Sequence, residues 1–237
     1  MLVDLELAPS RQRARELIEE GTVRVDGMQV TKVAAQVQLG QSVTLASTER
    51  QWVGRGAVKL LSVIDAFGVD PAGAVCADLG SSTGGFTEVL LDRGAERVHA
   101  VDVGRNLLHW RLRSEPRVVL HEGVNARYLD ALPDPIDLVV GDLSFISLRL
   151  ILPAIGRILR PEGEAVVLVK PQFEVGRDAI GHGGRVRSDA DRDAAIARVA
   201  HEAAEEGFTV LAGHDSGIAG AKSGNVEHFL HLRRLAD

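Results

Sequence analysis

Two residues with catalytic potential each follow a predicted strand of this chain. Asp142 comes just after the apolar run 136–140, and Lys170 directly follows the run 165–169. Because ligands of open α/β sheets bind beyond the carboxyl ends of the strands, both side chains are expected to point into one crevice. Lysine is scarce here, with four among 27 basic residues, and a partly buried lysine, unlike arginine, can be tuned to accept a proton. The pair predicts acid–base chemistry, with an ordinary Lys–Asp ion pair as the alternative.

A glycine-rich stretch, DLGSSTGGF at 78–86, follows another predicted strand. Its spacing is G-x-x-x-G-G, which differs from the G-x-G-x-x-G of dinucleotide sites, and no Gly-Lys-Ser/Thr of a P-loop follows. Asp102 ends the next predicted strand, 22 residues after Gly80, where a carboxylate can accept hydrogen bonds from ribose hydroxyls. We therefore predict an S-adenosylmethionine site, because that cofactor has a ribose but no pyrophosphate. A turn that only packs strand against helix and a nicotinamide site are the alternatives.

These residues need a sheet to position them, and the pattern from residue 58 onwards predicts one. Short apolar runs alternate with helical spacing, which is typical of a doubly wound α/β fold with a parallel sheet. Helices are expected at 58–67, 86–94 and 148–159, and a long helix is expected to run from a Ser188 cap to Gly207. Seven strands are expected, at 75–79, 98–103, 118–121, 136–140, 165–169, 208–211 and 226–232.

The first fifty residues follow a different pattern. Ser10 is suited to cap a helix that Gly21 ends, and the dipeptide Asp26-Gly27 is typical of a turn between two strands. Trp52 is the large apolar residue of a polar segment and is expected to dock that segment onto a domain. The expected elements are a helix at 11–20, strands around 23–25 and 30, and two more at 37–39 and 43–45. We thus expect a small α+β module at 1–48, a linker at 49–56 and the sheet domain at 57–237.

Composition narrows the function classes. The 237 residues contain one cysteine, Cys76, which excludes an intramolecular disulfide and a four-cysteine zinc site and favours a reducing compartment. No apolar run reaches the roughly 18 residues of a membrane span, and no signal-peptide pattern opens the chain. We therefore expect a cytoplasmic protein and no metal site. The net charge of −6 argues against a uniformly basic nucleic-acid binder.

Two further residues turn the Asp–Lys pair into a known pattern. Lys59 precedes the sheet and Glu227 lies on the last predicted strand, so that Lys59, Asp142, Lys170 and Glu227 follow the order of the tetrad in FtsJ-like 2′-O-methyltransferases. The chain closely resembles the TlyA, or hemolysin A, family of ribosomal RNA methyltransferases, in which an S4-like RNA-binding module precedes an FtsJ-like domain. The resemblance rests on SRQRARELIEEGTVRVDG at 10–27, RGAVKL at 55–60, DLGSSTGGFTEVLLDRGA at 78–95, DLSFISLRLILPA at 142–154, LVKPQFEVGRD at 168–178 and GNVEHFLHLRR at 224–234.

The resemblance implies methyl transfer from S-adenosylmethionine to a cytidine ribose 2′-hydroxyl in 16S RNA, 23S RNA or both. It implies that Lys170 deprotonates the hydroxyl while Lys59 lowers the pKa of Lys170 through like-charge proximity. Asp142 and Glu227 would orient the lysines and hold the ribose. The fold would be the Rossmann-like methyltransferase fold with a seven-stranded, mostly parallel sheet. The expected cofactor-binding residues are Asp78, Gly80, Ser82, Gly84, Gly85, Phe86, Asp102, Asn125 and Asp142.

RNA contact is expected from local arginine clusters. Basic residues crowd the first turns of the helix at 11–20 and acidic residues its end, which is the reverse of what the helix dipole favours. Contact with RNA phosphates explains why the basic residues come first along this helix, and a solvated surface of mixed charge is the alternative. The expected RNA-binding residues are Arg11, Arg13, Arg15, Arg24, Lys32 and Arg55. Three more arginines, Arg177, Arg185 and Arg187, flank a glycine-rich segment that is interpreted as a mobile substrate loop or an ordinary surface loop.

Three other functions compete with methyl transfer. An RNA-binding assembly factor without enzymatic activity would keep the same fold. A membrane-lytic protein, as the older family name suggests, would need a strongly apolar or cationic amphipathic segment, and the sequence has none. A Rossmann dehydrogenase would bind NAD, which the glycine spacing disfavours.

Overall fold

A computed structural model describes residues 1–5, 7–8, 10–19, 21–38, 40–45, 52–218 and 224–236. The chain divides into two compact units, Met1–Gln51 and Trp52–Asp237. This division falls inside the segment 49–56 that we predict as a linker, whose residues 49–51 lie outside the described ranges. Trp52 packs against the apolar core of the second unit, as expected for a docking residue.

The N-terminal unit is a small α+β module. Ser10 caps its helix by accepting a hydrogen bond from the backbone N–H of Arg13 at 3.2 Å. The strand predicted at 37–39 does not form at residues 37 and 38, and Leu39 lies outside the described residues. There the backbone N–H of Gln38 donates to the Gln41 side chain, so that this stretch makes a turn. The elements are α1 (Arg11–Glu19), β1 (Val23–Val25), β2 (Met28–Gln29) and β3 (Val43–Leu45), in an antiparallel sheet of order β2-β1-β3.

The second unit contains the seven-stranded sheet that the sequence predicts. Its order is β6-β5-β4-β7-β8-β10-β9, and all neighbours are parallel except β10, which runs antiparallel to β8 and β9. Runs of valine, leucine and alanine bury both faces of the central strands, as parallel sheets require. The strands are β4 (Val75–Leu79), β5 (Arg97–Asp102), β6 (Val118–Glu122), β7 (Ile136–Gly141), β8 (Leu159–Val169), β9 (Phe208–Asp215) and β10 (His228–Arg234).

Helices cover the sheet on both faces, over two apolar cores. Ser188 caps the long helix α7 by accepting from the N–H of Asp191 at 3.1 Å, as predicted. The helix predicted at 148–159 is shorter, because 148–150 form a 3₁₀ turn and Leu159 already pairs with Ile136 in the sheet. The helices are α2 (Gly56–Ile64), α3 (Gly85–Asp92), α4 (Trp110–Arg113), α5 (Leu152–Ile158), α6 (Pro171–Glu174) and α7 (Asp189–Glu205).

The sheet order reverses direction at β4, which pairs with β5 on one side and β7 on the other. Ligands of doubly wound folds bind at such a switch point, beyond the carboxyl ends of the strands. Here the carboxyl ends of β4, β5, β7 and β8 converge, and the residues that follow them line the crevice. Within the described residues, no helix is long and apolar enough to cross a membrane.

Candidate active site

The four residues of the predicted tetrad meet at the carboxyl edge of the sheet. Lys59 lies in the first turns of α2, and its Nζ is 3.0 Å from Oδ2 of Asp142 and 2.8 Å from Oε2 of Glu227. The Nζ of Lys170, just past β8, is 2.6 Å from Oδ1 of Asp142. Asp142 follows β7 and therefore holds one lysine on each carboxylate oxygen. Residues 83 positions apart along the chain are brought into direct contact.

This cluster is buried and nearly balanced in charge. The exposed fractions of the side chains are 12% for Lys59, 8% for Lys170, 20% for Asp142 and 3% for Glu227. Burial alone lowers the pKa of Lys59, but Asp142 and Glu227 outweigh it and raise the pKa above its usual value. Burial raises the pKa of Asp142, whereas the two lysines pull it below its usual value. At neutral pH Lys59 is therefore a cation and Asp142 an anion.

Residues between β7 and α5 complete the cluster in ways that spacing did not predict. The Nζ of Lys170 donates a hydrogen bond to Oγ of Ser144 at 2.7 Å. Phe145 has a φ of +65° and is 79% exposed, with its ring 5.4 Å from that of Phe173. A positive φ at a bulky residue is strained, which marks this turn as a functional feature. The signal available in the sequence was the DLSF stretch at 142–145, in which Ser144 stands two residues past Asp142.

The glycine loop after β4 is shaped by close backbone contacts. Gly80 has a φ of +82°, and a Cβ there would lie 3.1 Å from the carbonyl oxygen of Asp142. Gly85 opens α3, and a Cβ on it would lie 2.8 Å from the amide nitrogen of Ala57 in α2. The glycines thus bring the loop against the turn after β7 and against the helix that carries Lys59.

Asp78, the last residue but one of β4, is buried beneath this loop. Its Oδ2 accepts hydrogen bonds from the amide and hydroxyl of Thr87, at 2.9 and 2.6 Å. Its Oδ1 has no hydrogen-bond partner within the described part of the chain, and neither does Oγ of the buried Ser81. Burial raises the pKa of Asp78 to about 7, against the effect of the Thr87 bonds. Two buried polar atoms at one edge of a cavity indicate a polar ligand.

Two cavities that share five lining residues lie side by side along the sheet edge and are together called the trough below. The first, of about 520 Å³, contains the tetrad together with Asp78 and Arg55. The second, of about 470 Å³, contains Asp102 and Asn125. The shared wall consists of Gly80, Ser82, Asp142, Ser144 and Phe145. The trough therefore suits an elongated ligand with one end at the lysines and the other beside β5.

The polar groups of the second cavity are held in place by the backbone. The Asp102 carboxylate accepts from the amides of Ser82 at 2.8 Å and Gly104 at 2.7 Å. Oδ1 of Asn125 accepts from the amide of Arg127 at 3.0 Å. Sequence reasoning missed the apolar side of this cavity, which includes the exposed side chain of Leu107.

Two predicted cofactor-binding residues occupy less direct positions. Gly84 lines neither cavity: it is the N-cap of α3 with a φ of +97°, and a Cβ there would collide with Leu112 and Leu108. Phe86 borders the first cavity but is only 3% exposed and packs near Phe229, 6.2 Å between ring centroids. Both residues therefore shape the loop and its helix, with most of their contacts in the protein core.

The expected RNA-binding residues fall into three settings. Arg13 and Arg15 pair with Glu16 and Glu19 of the same helix, at 3.0 and 2.9 Å. Arg24 donates to the carbonyl of Gly27 at 3.1 Å. The third group lines cavities, with Arg11 and Lys32 in one of about 380 Å³ within the N-terminal unit, and Arg55 in the first cavity of the sheet unit.

Known proteins resemble the chain along its whole length. The S4 domain matches residues 1–43 and the FtsJ-like methyltransferase matches residues 52–234. The 16S/23S rRNA (cytidine-2′-O)-methyltransferase TlyA of Mycobacterium tuberculosis is 48% identical, over 100% of this chain and 89% of that protein. A solved structure, a putative hemolysin from Streptococcus thermophilus, has a TM-score of 0.77 at 36% identity, over 98% of this chain and 85% of the other.

A more distant structure shows the fold alone. A putative S-adenosylmethionine-dependent methyltransferase from Listeria monocytogenes has a TM-score of 0.59 at 15% identity, over 77% of this chain and all of the other. The fold of the sheet unit is thus that of S-adenosylmethionine-dependent methyltransferases, as predicted. Within the described residues, no group of three or more His, Cys, Asp and Glu side chains is placed to hold a metal ion. The chain belongs to the TlyA family, in which an S4 domain precedes an FtsJ-like methyltransferase domain.

Proposed function

We propose that this protein transfers a methyl group from S-adenosylmethionine to the ribose 2′-hydroxyl of a cytidine in ribosomal RNA. One observation carries the proposal: Lys59 and Lys170 both pair with Asp142, inside a cavity that a glycine loop borders. A hydroxyl of a ribose is a weak nucleophile, and a positioned base beside a fixed charge network is what its activation requires. The Mycobacterium tuberculosis relative, whose name states this activity, aligns over the entire chain.

The residues of the trough suit S-adenosylmethionine. The Asp102 carboxylate, fixed at the end of β5, is placed to accept the ribose hydroxyls, and Asn125 borders the space for the adenine. The buried atoms Asp78 Oδ1 and Ser81 Oγ, without partners in the described residues, are suited to the ammonium and carboxylate of the amino-acid part. When bound, the cofactor supplies an electrophilic sulfonium methyl group.

In the proposed reaction Lys170 would accept the proton of the 2′-hydroxyl as the oxygen bonds to the methyl carbon and the bond from that carbon to the sulfonium sulfur breaks, the sulfur leaving as a neutral thioether. Lys170 must be neutral at that moment, and its loss of charge would leave Asp142 buried and unpaired if no second cation were present. Lys59 supplies that cation, 3.0 Å from the same carboxylate. Glu227 holds Lys59 in place at 2.8 Å.

The test is methyl transfer to isolated ribosomal subunits. We expect labelled S-adenosylmethionine to transfer its methyl group to RNA in at least one subunit, and the product to be 2′-O-methylcytidine, which protects the adjacent linkage from alkali. Mapping of 2′-O-methylation in a deletion strain identifies the nucleotide and the subunit. Tight binding to subunits without methyl transfer overturns the proposal and favours an assembly factor.

A further inference from the structure

The segment 181–187 contributes to the walls of two cavities. Gly183 and Gly184 line the active-site cavity, whereas Arg185 and Arg187 line a separate cavity of about 510 Å³. Pro171, the residue after Lys170, lines this separate cavity as well. The separate cavity, called the arginine cavity below, is therefore next to the proposed base.

The arginine cavity carries two guanidinium groups that the rest of the described chain does not use. Arg185 and Arg187 are exposed, and within the described residues their side chains form neither an ion pair nor a hydrogen bond. Arg192, a third arginine of the cavity, is already paired with Asp193 and Asp215. The one carboxylate among the lining residues is that of Asp189. Two unused guanidinium groups beside one carboxylate leave a net positive site for an anion.

Asn225 holds this wall in place. It is 4% exposed, its Oδ1 accepts from the amide of Val186 at 2.9 Å, and its Nδ2 donates to the carbonyl of Gly184 at 3.0 Å. The segment is also closed by a bridge between Ile180 and Val186. A buried amide with both ends bonded to one loop is a positioning device, because losing it leaves half-buried backbone groups of that loop without their partner. The segment interpreted from sequence as a mobile substrate loop or a surface loop is thus tied to residues 224–227. These residues precede β10 and include Glu227, which was predicted to lie on the last strand but lies just before it.

We propose that the arginine cavity binds a phosphate of the RNA strand flanking the target nucleotide, and that Asn225 is a positioning residue that presents Arg185 and Arg187 to it. This inference rests on the proposed function. The carbon that bears the 2′-hydroxyl is bonded to the carbon that bears the 3′-phosphodiester, so the 3′-phosphate of a strand whose 2′-hydroxyl reaches Lys170 lies close to Lys170, and the arginine cavity adjoins that position through Pro171. Guanidinium groups bind phosphate oxygens with two parallel hydrogen bonds, which suits such a contact.

The first test compares the double variant Arg185→Ala/Arg187→Ala with Arg198→Ala in the full-length protein. Arg198 is an exposed arginine of α7 that lines neither cavity. We expect the double variant to raise KM for ribosomal subunits about tenfold and to lower the slope of log KM against log salt by about one for each lost phosphate contact. The Kd for S-adenosylmethionine stays at the wild-type value. Values for KM and slope equal to those of Arg198→Ala overturn the proposal.

The second test is a double-mutant cycle with Asn225→Ala. If Asn225 acts through the arginines, Asn225→Ala raises KM for the subunits with little change in kcat, and it adds little when combined with the arginine variant. Full additivity, or a loss in kcat alone, refutes the positioning role.

The two proposals fail in different ways. Wild-type protein that binds subunits without methylating them contradicts the proposed function, and the salt slope of its RNA Kd still tests the cavity. If the protein is active but Arg185→Ala/Arg187→Ala leaves the slope of log KM against log salt unchanged, only the proposal for the arginine cavity is contradicted. If the arginine substitutions weaken binding to naked RNA and to subunits equally, the contact is to RNA. If they weaken binding to subunits alone, the contact is to a ribosomal protein and the inference is overturned.

Discussion

At the scale of single residues, the most consequential group outside the tetrad is Asp78. In the folded chain burial holds the pKa of this carboxyl at about 7, and the ordinary value is 3.8. At pH values between 3.8 and about 7, the Asp78 carboxyl keeps its proton in the folded state and has lost it in the unfolded state. The contribution of Asp78 to stability is therefore present at acidic pH and disappears as pH rises through about 7. Above that pH an ionised carboxylate with one unpaired oxygen is buried, a state that binding of an ammonium group would relieve.

We therefore expect Asp78→Asn to stabilise the protein at pH 8 and to do so less at pH 5. The amide keeps the acceptor for Thr87 and cannot ionise, so the gain at pH 8 is on the order of a few kcal/mol in the free energy of unfolding. Urea unfolding at both pH values measures it, and Asp178→Asn, an exposed site, is the control. The same variant should bind S-adenosylmethionine more weakly at pH 8. An equal change at both pH values would show that the carboxyl titrates normally.

Lys170 presents a second prediction at this scale, because arginine can replace its charge but not its chemistry. Lys170→Arg keeps a cation beside Asp142, whereas a guanidinium does not release its proton at accessible pH. We expect kcat to fall by about 10² to 10⁴, the usual contribution of a general base, with the Kd for S-adenosylmethionine within about threefold of wild type. Single-turnover methyl transfer at saturating RNA is the measurement. Lys32→Arg makes the same change at an exposed site and should keep wild-type turnover; if Lys170→Arg does so too, Lys170 is not the base.

At the scale of elements, the contact between α2 and α3 positions Lys59. Gly85 is the first residue of α3, and the space for its Cβ is taken by the backbone of Gly56 and Ala57, at 3.2 and 2.8 Å. Neither neighbour is a flexible side chain, so any larger residue must push the two helices apart. The position of Lys59, one turn into α2, therefore depends on a glycine in another helix.

Gly85→Ala should consequently reduce both stability and turnover. Overpacking of this kind typically costs about 1–3 kcal/mol, and the displaced α2 separates Lys59 from Asp142 and Glu227. Chemical denaturation and kcat measure the two effects. Gly176→Ala is the matched control, because Gly176 has a φ of −66° and nothing lies within 4 Å of a Cβ placed on it. A normal kcat for Gly85→Ala would show that catalysis does not depend on the position of α2.

The elements also show where prediction from sequence works and where it stops. Strands β4 to β7 were predicted within about two residues, because each is a short apolar run that ends at a polar or glycine residue. The early start of β8 at Leu159 was missed, since its pairing with Ile136 is a long-range contact that no local pattern encodes. Asp142 and Lys170 were predicted because each follows a strand and lysine is rare in this chain, whereas Lys59 and Glu227 came from the resemblance to the FtsJ-like tetrad. Ser144 and Asn225 were missed because hydroxyls and amides in loops are common, and only the folded backbone shows their partners.

At the scale of the whole molecule, charge is divided unevenly between the two units. Residues 1–51 carry six basic and seven acidic side chains, a net charge of −1, and residues 52–237 carry 21 basic and 26 acidic ones, a net charge of −5. An acidic sheet domain repels a polyanion at long range. Local basic sites must then provide the attraction. Among the described residues of the N-terminal unit, Arg11 and Lys32 line one cavity and form no ion pair with the acidic residues of α1, whereas Arg13 and Arg15 do.

This division predicts that Arg11→Ala/Lys32→Ala, in the full-length chain, weakens RNA recognition and leaves chemistry intact. We expect a higher KM for ribosomal subunits and a salt slope lower by about one or two, because each lost phosphate contact removes one released counterion. The kcat at saturating subunits and the Kd for S-adenosylmethionine should remain at wild-type values, since the tetrad and the trough lie in the other unit. Initial rates at several salt concentrations measure KM and kcat, with Arg198→Ala as the control. A fall in kcat with unchanged KM would mean that the S4 domain takes part in catalysis, contrary to the separation of binding and chemistry argued from the two units.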